Sequence, residues 1–413
     1  MEKFTPTNLK GATDSLPEIQ AMRNRVTDIL RENFERNGFL PIETPILNHL
    51  DLLTHKYDAN AEIVREIYKM KDQGERDIGL RYDLTVPFAK FIAMNRNLKM
   101  PFRRYEIGRV FRNGPVRSGR LREFYQCDID CVGQDGPEIE AEIIALMVKC
   151  FLQLGIKPVI MIGNRKVLIG YITAHGVLAK DVDSVIGVID RIEKVSEAET
   201  LRELEKFISS SQAKALLDSF CSKEMPEEVA GLFKMLEGMG ISEYCRYTPS
   251  LARGLNYYTG TIFEAADAGG EYSGSIGGGG RYNDMVTDFI DNGLSYPAIG
   301  VSFGLEPIMA ILKAREENQR GCIDLLVIPM NTFAQSHIFA EGIRALGARV
   351  LVLPQKVGKA MEYANATGIP FTCVVGQKEL DNKKINIKRM SDGEQTEFAT
   401  KDSKKIAKFI LEK

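Results

Sequence analysis

The sequence predicts a chain of the α+β class, built from two or three domains, and three observations carry that prediction. Residues 102–112 and 124–132 read as two strands joined by the polar, turn-rich stretch NGPVRSGRLRE. A long helical block over roughly 163–238 follows, with mixed charges and little β-branched enrichment. After the charged linker KAREENQRG, short apolar strands alternate with helical patterns: IDLLVIP, an amphipathic run from Ala334, RVLVLP, a run from Lys356, then FTCVVG. That alternation is the pattern of a small α/β unit. At 413 residues, 44% of them hydrophobic and 27% charged, the chain is too long for one ordinary core.

Taken in order, residues 17–37 place Ile19, Met22, Val26, Ile29 and Leu30 at helical spacing. Asp14 or Ser15 can cap that helix, Pro17 suits its first turn and Gly38 can end it. The stretch FLPIETPILN is extended but carries two prolines, which suits an edge or an interface rather than a central strand. In the strand at 124–132, Gln126, Asp128 and Asp130 alternate with Tyr125, Cys127, Ile129 and Cys131. Period-two geometry puts one amide and two carboxylates on one face and an apolar set on the other. Such a polar row either faces solvent or, beside an arginine-rich partner strand, lines a cleft. Residues 138–155 read as a further helix.

Several function classes fall away. No apolar stretch approaches a membrane span, and the start MEKFTPTNLKGATDS has no apolar signal segment. The seven cysteines form no C-x-x-C, and Cys127 and Cys131 have no nearby histidine, so reduced thiols in a cytosolic protein are expected rather than zinc. There is no P-loop, no G-x-G-x-x-G and no H-E-x-x-H, and the four histidines (49, 55, 175, 337) are scattered. A net charge of −2 is uninformative, but local charge is not. Residues 103–122 hold seven arginines (103, 104, 109, 112, 117, 120, 122), one acid, Glu106, and no lysine. That composition favours planar, bidentate recognition of phosphate or carboxylate over a solvated face.

Two further stretches stand out: LARGLNYYTGTIFE at 251–264 and GSIGGGGRY at 274–282. Adjacent tyrosines in a strand are ordinarily core aromatics. Beside a cation and a glycine run they suit a site in which backbone lies flat against a ligand that a Cβ would exclude.

These motifs together resemble histidyl-tRNA synthetase, a class II aminoacyl-tRNA synthetase, over nearly the whole chain. KGATDSLPE with the 17–50 helix and strand, Pro45 included, looks like motif 1. LRYDLTVPFAKF looks like a substrate-binding segment, and RRYEIGRVFR with GRLREFYQCDIDCVG looks like motif 2. LARGLNYYTGTIFE looks like the histidine-specific signature, with GGGGRYN after it, and AIGVSFGLEP looks like motif 3. The resemblance implies an antiparallel β-sheet catalytic core flanked by helices. It divides into 1–162 with motifs 1 and 2, a helical insertion at 163–238, the second part of the core at 239–320 with the signature and motif 3, and a C-terminal α/β anticodon-binding domain at 321–413.

It also implies the reaction, ATP-dependent activation of L-histidine to histidyl-adenylate and transfer to histidine tRNA, with ATP as substrate, Mg2+ as cofactor, a cytoplasmic homodimer and no membrane partner. Arg112 and Arg253 would be catalytic, approaching the α-phosphate from two sides. Asp83, Thr85, Gln126, Asp130, Tyr257 and Tyr258 would bind histidine: Asp130 and Tyr258 the imidazole, with Tyr257 alongside, and Asp83, Thr85 and Gln126 the α-ammonium and neighbouring groups. Two positions depart from the family pattern. Asn256 stands where aspartate is usual, and Pro307 stands where motif 3 usually has the arginine that grips the terminal phosphates. Arg120, Arg122 or Arg281 is expected to take over that grip, Arg120 and Arg281 with Arg112 making the ATP-binding set. The competing expectation is a non-charging histidine-binding paralogue that regulates ATP phosphoribosyltransferase. The C-terminal domain, together with Arg112 and Arg253, opposes it.

Overall fold

The structure is a computed structural model that describes residues 4–55, 62–192, 195–220, 225–252, 257–315 and 322–412. It divides into two compact units, Met1–Asp14 with Arg23–Glu317, and Ser15–Met22 with Asn318–Lys413.

The strands of the first unit are β1 (Leu40–Pro41), β2 (Leu47–His49), β3 (Lys69–Lys71), β4 (Asp77–Leu80), β5 (Phe102–Phe111), β6 (Glu123–Val132), β7 (Pro158–Asn164), β8 (Cys245–Tyr247), β9 (Thr261–Asp267), β10 (Ser275–Arg281) and β11 (Ala298–Gly304). Eight of them form one sheet in the order β1-β5-β6-β11-β10-β9-β7-β8. The pairings at its two ends, β1 with β5 and β7 with β8, are parallel, and all others are antiparallel. The hairpin β5–β6 runs from Phe102 opposite Val132 to Phe111 opposite Glu123. The prolines of FLPIETPILN act as expected: β1 is an edge strand that stops at Pro41, and β2 is an edge of the three-stranded sheet β2-β4-β3.

Helix α1 (Pro17–Arg36) is divided between the units, and the other helices of the first are α2 (Leu50–Thr54), α3 (Glu62–Glu66), α4 (Thr85–Met94), α5 (Pro137–Gln153), α6 (Arg165–Ala174), α7 (Val182–Ile189), α8 (Glu197–Leu204), α9 (Ser210–Ser219), α10 (Glu227–Gly238), α11 (Asn283–Ile290) and α12 (Leu305–Ala314). One face of the large sheet is covered by α5 and α12, with Phe34 of α1 beside them. Phe34, Phe151 and Phe303, all fully buried, meet there at tilted angles with centroid separations of 5.3–5.6 Å. Each aromatic buried this way contributes roughly 1.5–3 kcal/mol. On the other face α4 packs on α11, and their apolar sides enclose Tyr82, Phe88, Met285 and Val286 with Tyr258 and Tyr282.

The helices α6 to α9 close around a core of their own, with Leu168, Ile172, Val185, Ile189, Leu204 and Leu216 buried in it. Their starts are capped by sequence. Asn164 accepts from the N–H groups of Lys166 and Val167, and Ser209 forms a capping box with Gln212. Helix α10 packs instead against α5.

The second unit holds β12 (Leu325–Pro329), β13 (Val350–Val352), β14 (Phe371–Val375), β15 (Lys384–Arg389) and β16 (Gln395–Ala399), with α13 (Phe333–Arg344), α14 (Val357–Ala366), α15 (Gln377–Asn382) and α16 (Ser403–Leu411). The sheet order is β13-β12-β14-β15-β16, parallel across the first three strands and antiparallel across the last three. Leu325 and Val327 face one core and Leu326 and Ile328 the other, which explains why β12 reads as a continuous apolar run. No helix among the described residues is long and apolar enough to cross a membrane.

Candidate active site

A cavity of about 890 Å³ opens over the face formed by β6, β11 and β10. Its floor is the polar row read from β6. Gln126, Asp128 and Asp130 lie opposite Gly108, Glu106 and Arg104 of β5 on one side, and opposite Gly304, Ser302 and Gly300 of β11 on the other. The row therefore lines a cleft. The apolar residues of the same strand, Cys127, Ile129 and Cys131, are buried.

A buried ion network fixes this floor. Arg104 is fully buried, stands 2.5 Å from Asp130 and 3.7 Å from Glu106, donates to the carbonyl of Leu84 and lies 4.5 Å over the Phe88 ring. Glu106 is held in turn by Arg81 at 2.7 Å and by the N–H and hydroxyl of Thr44. The Tyr282 hydroxyl donates to Oδ1 of Asp130. Burial raises the Asp130 carboxyl, opposed by Arg104. Gly300 is required beside it, since a Cβ there would come within 1.9 Å of Asp130 Oδ1. Gly300→Ala is accordingly expected to destabilise the protein by about 1–3 kcal/mol through overpacking, and to raise the KM for the ligand of this floor. A urea-unfolding midpoint and a KM both equal to wild type would contradict it.

Around the floor, the other expected residues converge. Asp83, at the mouth of α4, accepts from the N–H of Val86 through Oδ1, while Oδ2 has no hydrogen-bond partner among the described residues. Burial pushes its carboxyl up to about 6. Thr85 begins α4 and lines the same wall. Gln126 donates through Nε2 to the Ser302 hydroxyl, 3.0 Å away, leaving Oε1 for a donor from the cavity. Tyr257 and Tyr258 also line the cavity, their rings 4.7 Å apart and tilted, and Tyr257 meets Tyr282 edge-on at 6.0 Å. Arg112 follows β5, donates through Nε to the carbonyl of Tyr82 at 3.0 Å, and lies 5.3 Å over the Phe124 ring. Arg253 and Asn256 lie outside the described residues.

The arginine-rich stretch divides into two populations. Arg103 pairs with Glu142, Arg104 with Asp130, and Arg109 with Glu123, so these three hold the framework. Arg112, Arg117 and Arg120 line the cavity. The backbones of Arg117 and Arg120 bond each other reciprocally and close the loop tip, and Arg120 reaches Glu66 at 3.0 Å. Arg122 points elsewhere, donating to the carbonyl of Gly114. The expectation for Arg281 is corrected: its guanidinium is outside the cavity, bound to Glu140 at 2.6 Å, to the Gly136 carbonyl and to Asp135, and so ties the end of β10 to the start of α5. Pro307 does line the cavity, in the first turn of α12, and the neighbouring Glu306 forms a two-point pair with Arg23. The sequence offered no role for Arg117 or Asp128. Membership of the arginine cluster and of the polar row was the only signal for either.

The arrangement combines fixed cations above an acceptor-rich floor, which suits a small cationic group below and phosphates above. Comparison with known proteins agrees. The sequence model for the family described as histidyl-tRNA synthetase matches residues 11–308. The chain belongs to the histidyl-tRNA synthetase family. A second model, for an anticodon binding domain, matches residues 324–412. Histidine--tRNA ligase 1 of Bacillus thuringiensis subsp. konkukian is 36% identical over 94% of this chain and 96% of its own. The crystal structure of histidyl-tRNA synthetase from Nostoc sp. superposes with a TM-score of 0.81 at 29% identity, covering 99% of this chain and 100% of that one. A structure described as an ATP phosphoribosyltransferase regulatory subunit/histidyl-tRNA synthetase from Bacillus halodurans shares the fold, with a TM-score of 0.75, 20% identity, and 91% and 99% covered. The stretches that resemble motifs 2 and 3 lie on β5–β6 and on β11 with α12.

Proposed function

We propose that the chain is a histidine--tRNA ligase that activates L-histidine with ATP and transfers it to histidine tRNA, and that the cavity over β6 is where activation takes place. The observation that carries this reading is the convergence of Arg112 with Asp83, Gln126, Asp130 and the tyrosine pair on one cavity. At about 890 Å³ it is large enough for two small substrates, since ligand pockets run to roughly 300–1,000 Å³.

Activation brings the histidine carboxylate onto the α-phosphorus of ATP and expels pyrophosphate, so two anions must be held together by preorganised cations. Arg112 takes the α-phosphate and the carboxylate, and Arg253 is assigned to the same phosphate from its place in the signature. The α-ammonium goes to Asp83, Thr85 and the free Oε1 of Gln126. Asp130 and Tyr258 hold the imidazole, with Tyr257 packed alongside. For the terminal phosphates, Arg117 and Arg120 on the motif 2 loop take the place left by Pro307. Glu66 and Glu271 border the cavity but are paired with Arg120 and Arg315, so Mg2+ would be held chiefly by the phosphates and water. When bound, that ion would supply positive charge for the departing pyrophosphate.

The unit matched by the anticodon-binding model receives the tRNA. Exposed Leu40, Ile46 and Leu47, along β1 and β2 in the motif 1 region, support a homodimer through that edge. The cytoplasm is the compartment that suits this reaction. The deciding experiment is ATP–pyrophosphate exchange by the full chain with magnesium. Exchange is expected with histidine and not with phenylalanine or glutamine. No exchange with histidine would overturn the ligase reading.

A further inference from the structure

The loop between β9 and β10 carries an aromatic side chain that the reaction as assigned does not use. The loop leaves β9 at Asp267, whose carboxylate accepts from the N–H of Gly269 at 3.1 Å and of Glu271 at 2.9 Å. Arg315, which ends α12, pairs with Glu271 at 2.9 Å and donates to the carbonyl of Gly155 at 2.6 Å. The loop is thereby fixed to the framework, and its next residue, Tyr272, lines the cavity. The Tyr272 ring lies between two glycines. A Cβ on Gly119 would come within 2.7 Å of its Cε2, and one on Gly274 within 2.7 Å of its Cε1. Gly274 belongs to the same loop. Gly119 belongs to the β5–β6 loop, where Ser118 and Gly119 form the tip closed by the reciprocal bonds of Arg117 and Arg120. With a φ of +68°, Gly119 takes a left-handed turn that favours glycine, and it presents bare backbone to the ring. The pair of Arg120 with Glu66 is a second fastening of the same tip.

We propose that Tyr272 is a positioning residue for ATP, its ring clasping the tip of the β5–β6 loop so that Arg117 and Arg120 are set over the cavity before the nucleotide arrives. This rests on the reading of the cavity as the place of activation. The clasp answers a demand particular to this chain. With Pro307 in the first turn of α12, the cations assigned to the terminal phosphates come from a loop tip, and a loop must be ordered before it can hold a ligand. A ring seated on bare backbone orders the tip without taking up a guanidinium. The ordering then belongs to folding rather than to binding, which favours affinity.

The test uses the full chain and the variants Tyr272→Ala, Tyr272→Phe and Gly119→Ala. Pyrophosphate exchange gives KM values for ATP, pyrophosphate and histidine. Tyr272→Ala is expected to raise the KM for ATP and for pyrophosphate by roughly tenfold, as a misplaced binding group does, and to leave the KM for histidine unchanged. Tyr272→Phe keeps the ring and is expected to recover most of the loss. Gly119→Ala displaces the ring from the other side and is expected to raise the same two constants. The double variant Gly119→Ala/Tyr272→Ala should fall short of the product of the two effects, because both break one contact. A second readout needs no catalysis. Trypsin cuts after arginine, and Tyr272→Ala is expected to be cut after Arg117 and Arg120 several-fold faster than wild type, as read by mass spectrometry. An unchanged KM for ATP in Tyr272→Ala would overturn the proposal, as would a rise in the KM for histidine equal to that for ATP. Equal damage from Tyr272→Phe would also overturn it, since the ring would then not be the clasp. A wild type that catalyses no exchange loses the ligase reading instead. The cleavage rates, with calorimetric binding of a non-hydrolysable ATP analogue, would still decide the clasp.

Discussion

Replacing Arg112 with alanine is expected to slow histidine-dependent pyrophosphate exchange by about 10²–10³, because removal of one preorganised donor at a developing anion has that effect. The position explains why so much falls on one side chain. Among the described residues Arg112 has no carboxylate within ion-pair distance, unlike Arg103, Arg104 and Arg109 on the same hairpin. Its Nε is fixed by the Tyr82 carbonyl and its plane lies over Phe124, so the guanidinium is oriented without being neutralised. A charge held this way needs little reorganisation when the carboxylate meets the α-phosphate. Lysine at 112 is not expected to restore the rate, since an ammonium lacks the planar fork that addresses two oxygens at once. Histidine affinity measured by calorimetry is expected to change much less than the exchange rate. An exchange rate within about threefold of wild type in a folded Arg112→Ala protein would remove Arg112 from the chemistry.

Much of the scaffold behind this site is legible in the sequence because it is written locally. The hairpin β5–β6 is two apolar-rich strands around a polar turn, legible as a pair though not in its register. The helix at 17–36 and the parallel strands β12, β13 and β14 likewise follow from spacing and flanking residues. Period two says that Gln126, Asp128 and Asp130 share a face, but not what lies opposite. The answer comes from Ser302 and Gly300, some 170 residues further on, which only the antiparallel pairing of β6 with β11 brings alongside. The arginines show the same limit. Composition singles out the cluster as anion-binding, yet the anions that Arg103, Arg104 and Arg109 meet are the protein's own carboxylates. Arg281 reads as a ligand residue because it follows the glycine run, and only the packing of α5 against β10 supplies Glu140 to claim it. Strand β15 does alternate, with Ile385 and Ile387 buried and Lys384 and Asn386 exposed, whereas β16 carries a weaker pattern.

The largest effect on stability is expected from Arg104→Met. Arg104 is fully buried, and its charge is matched by Asp130 at 2.5 Å and, more distantly, by Glu106. Methionine fills much of the space and keeps the apolar contact with Phe88, so the loss is mainly electrostatic. Removing one partner of a buried pair strands the other charge, which destabilises by about 3–5 kcal/mol. Glu106 retains Arg81 and Thr44, so the stranded group is Asp130, already raised by burial and then without its main opposing charge. It would take up a proton, and the seat would lose the acceptor assigned to the imidazole. Stability and histidine affinity should therefore fall together. Arg104→Met combined with Asp130→Asn should recover part of the stability, because the uncompensated charge is gone, and none of the affinity. The exposed pair Lys71–Glu75 serves as the control, since surface pairs contribute only about 0–1 kcal/mol. If urea unfolding shows Arg104→Met to be no more harmful than Lys71→Ala, the buried network does not hold the floor of this site.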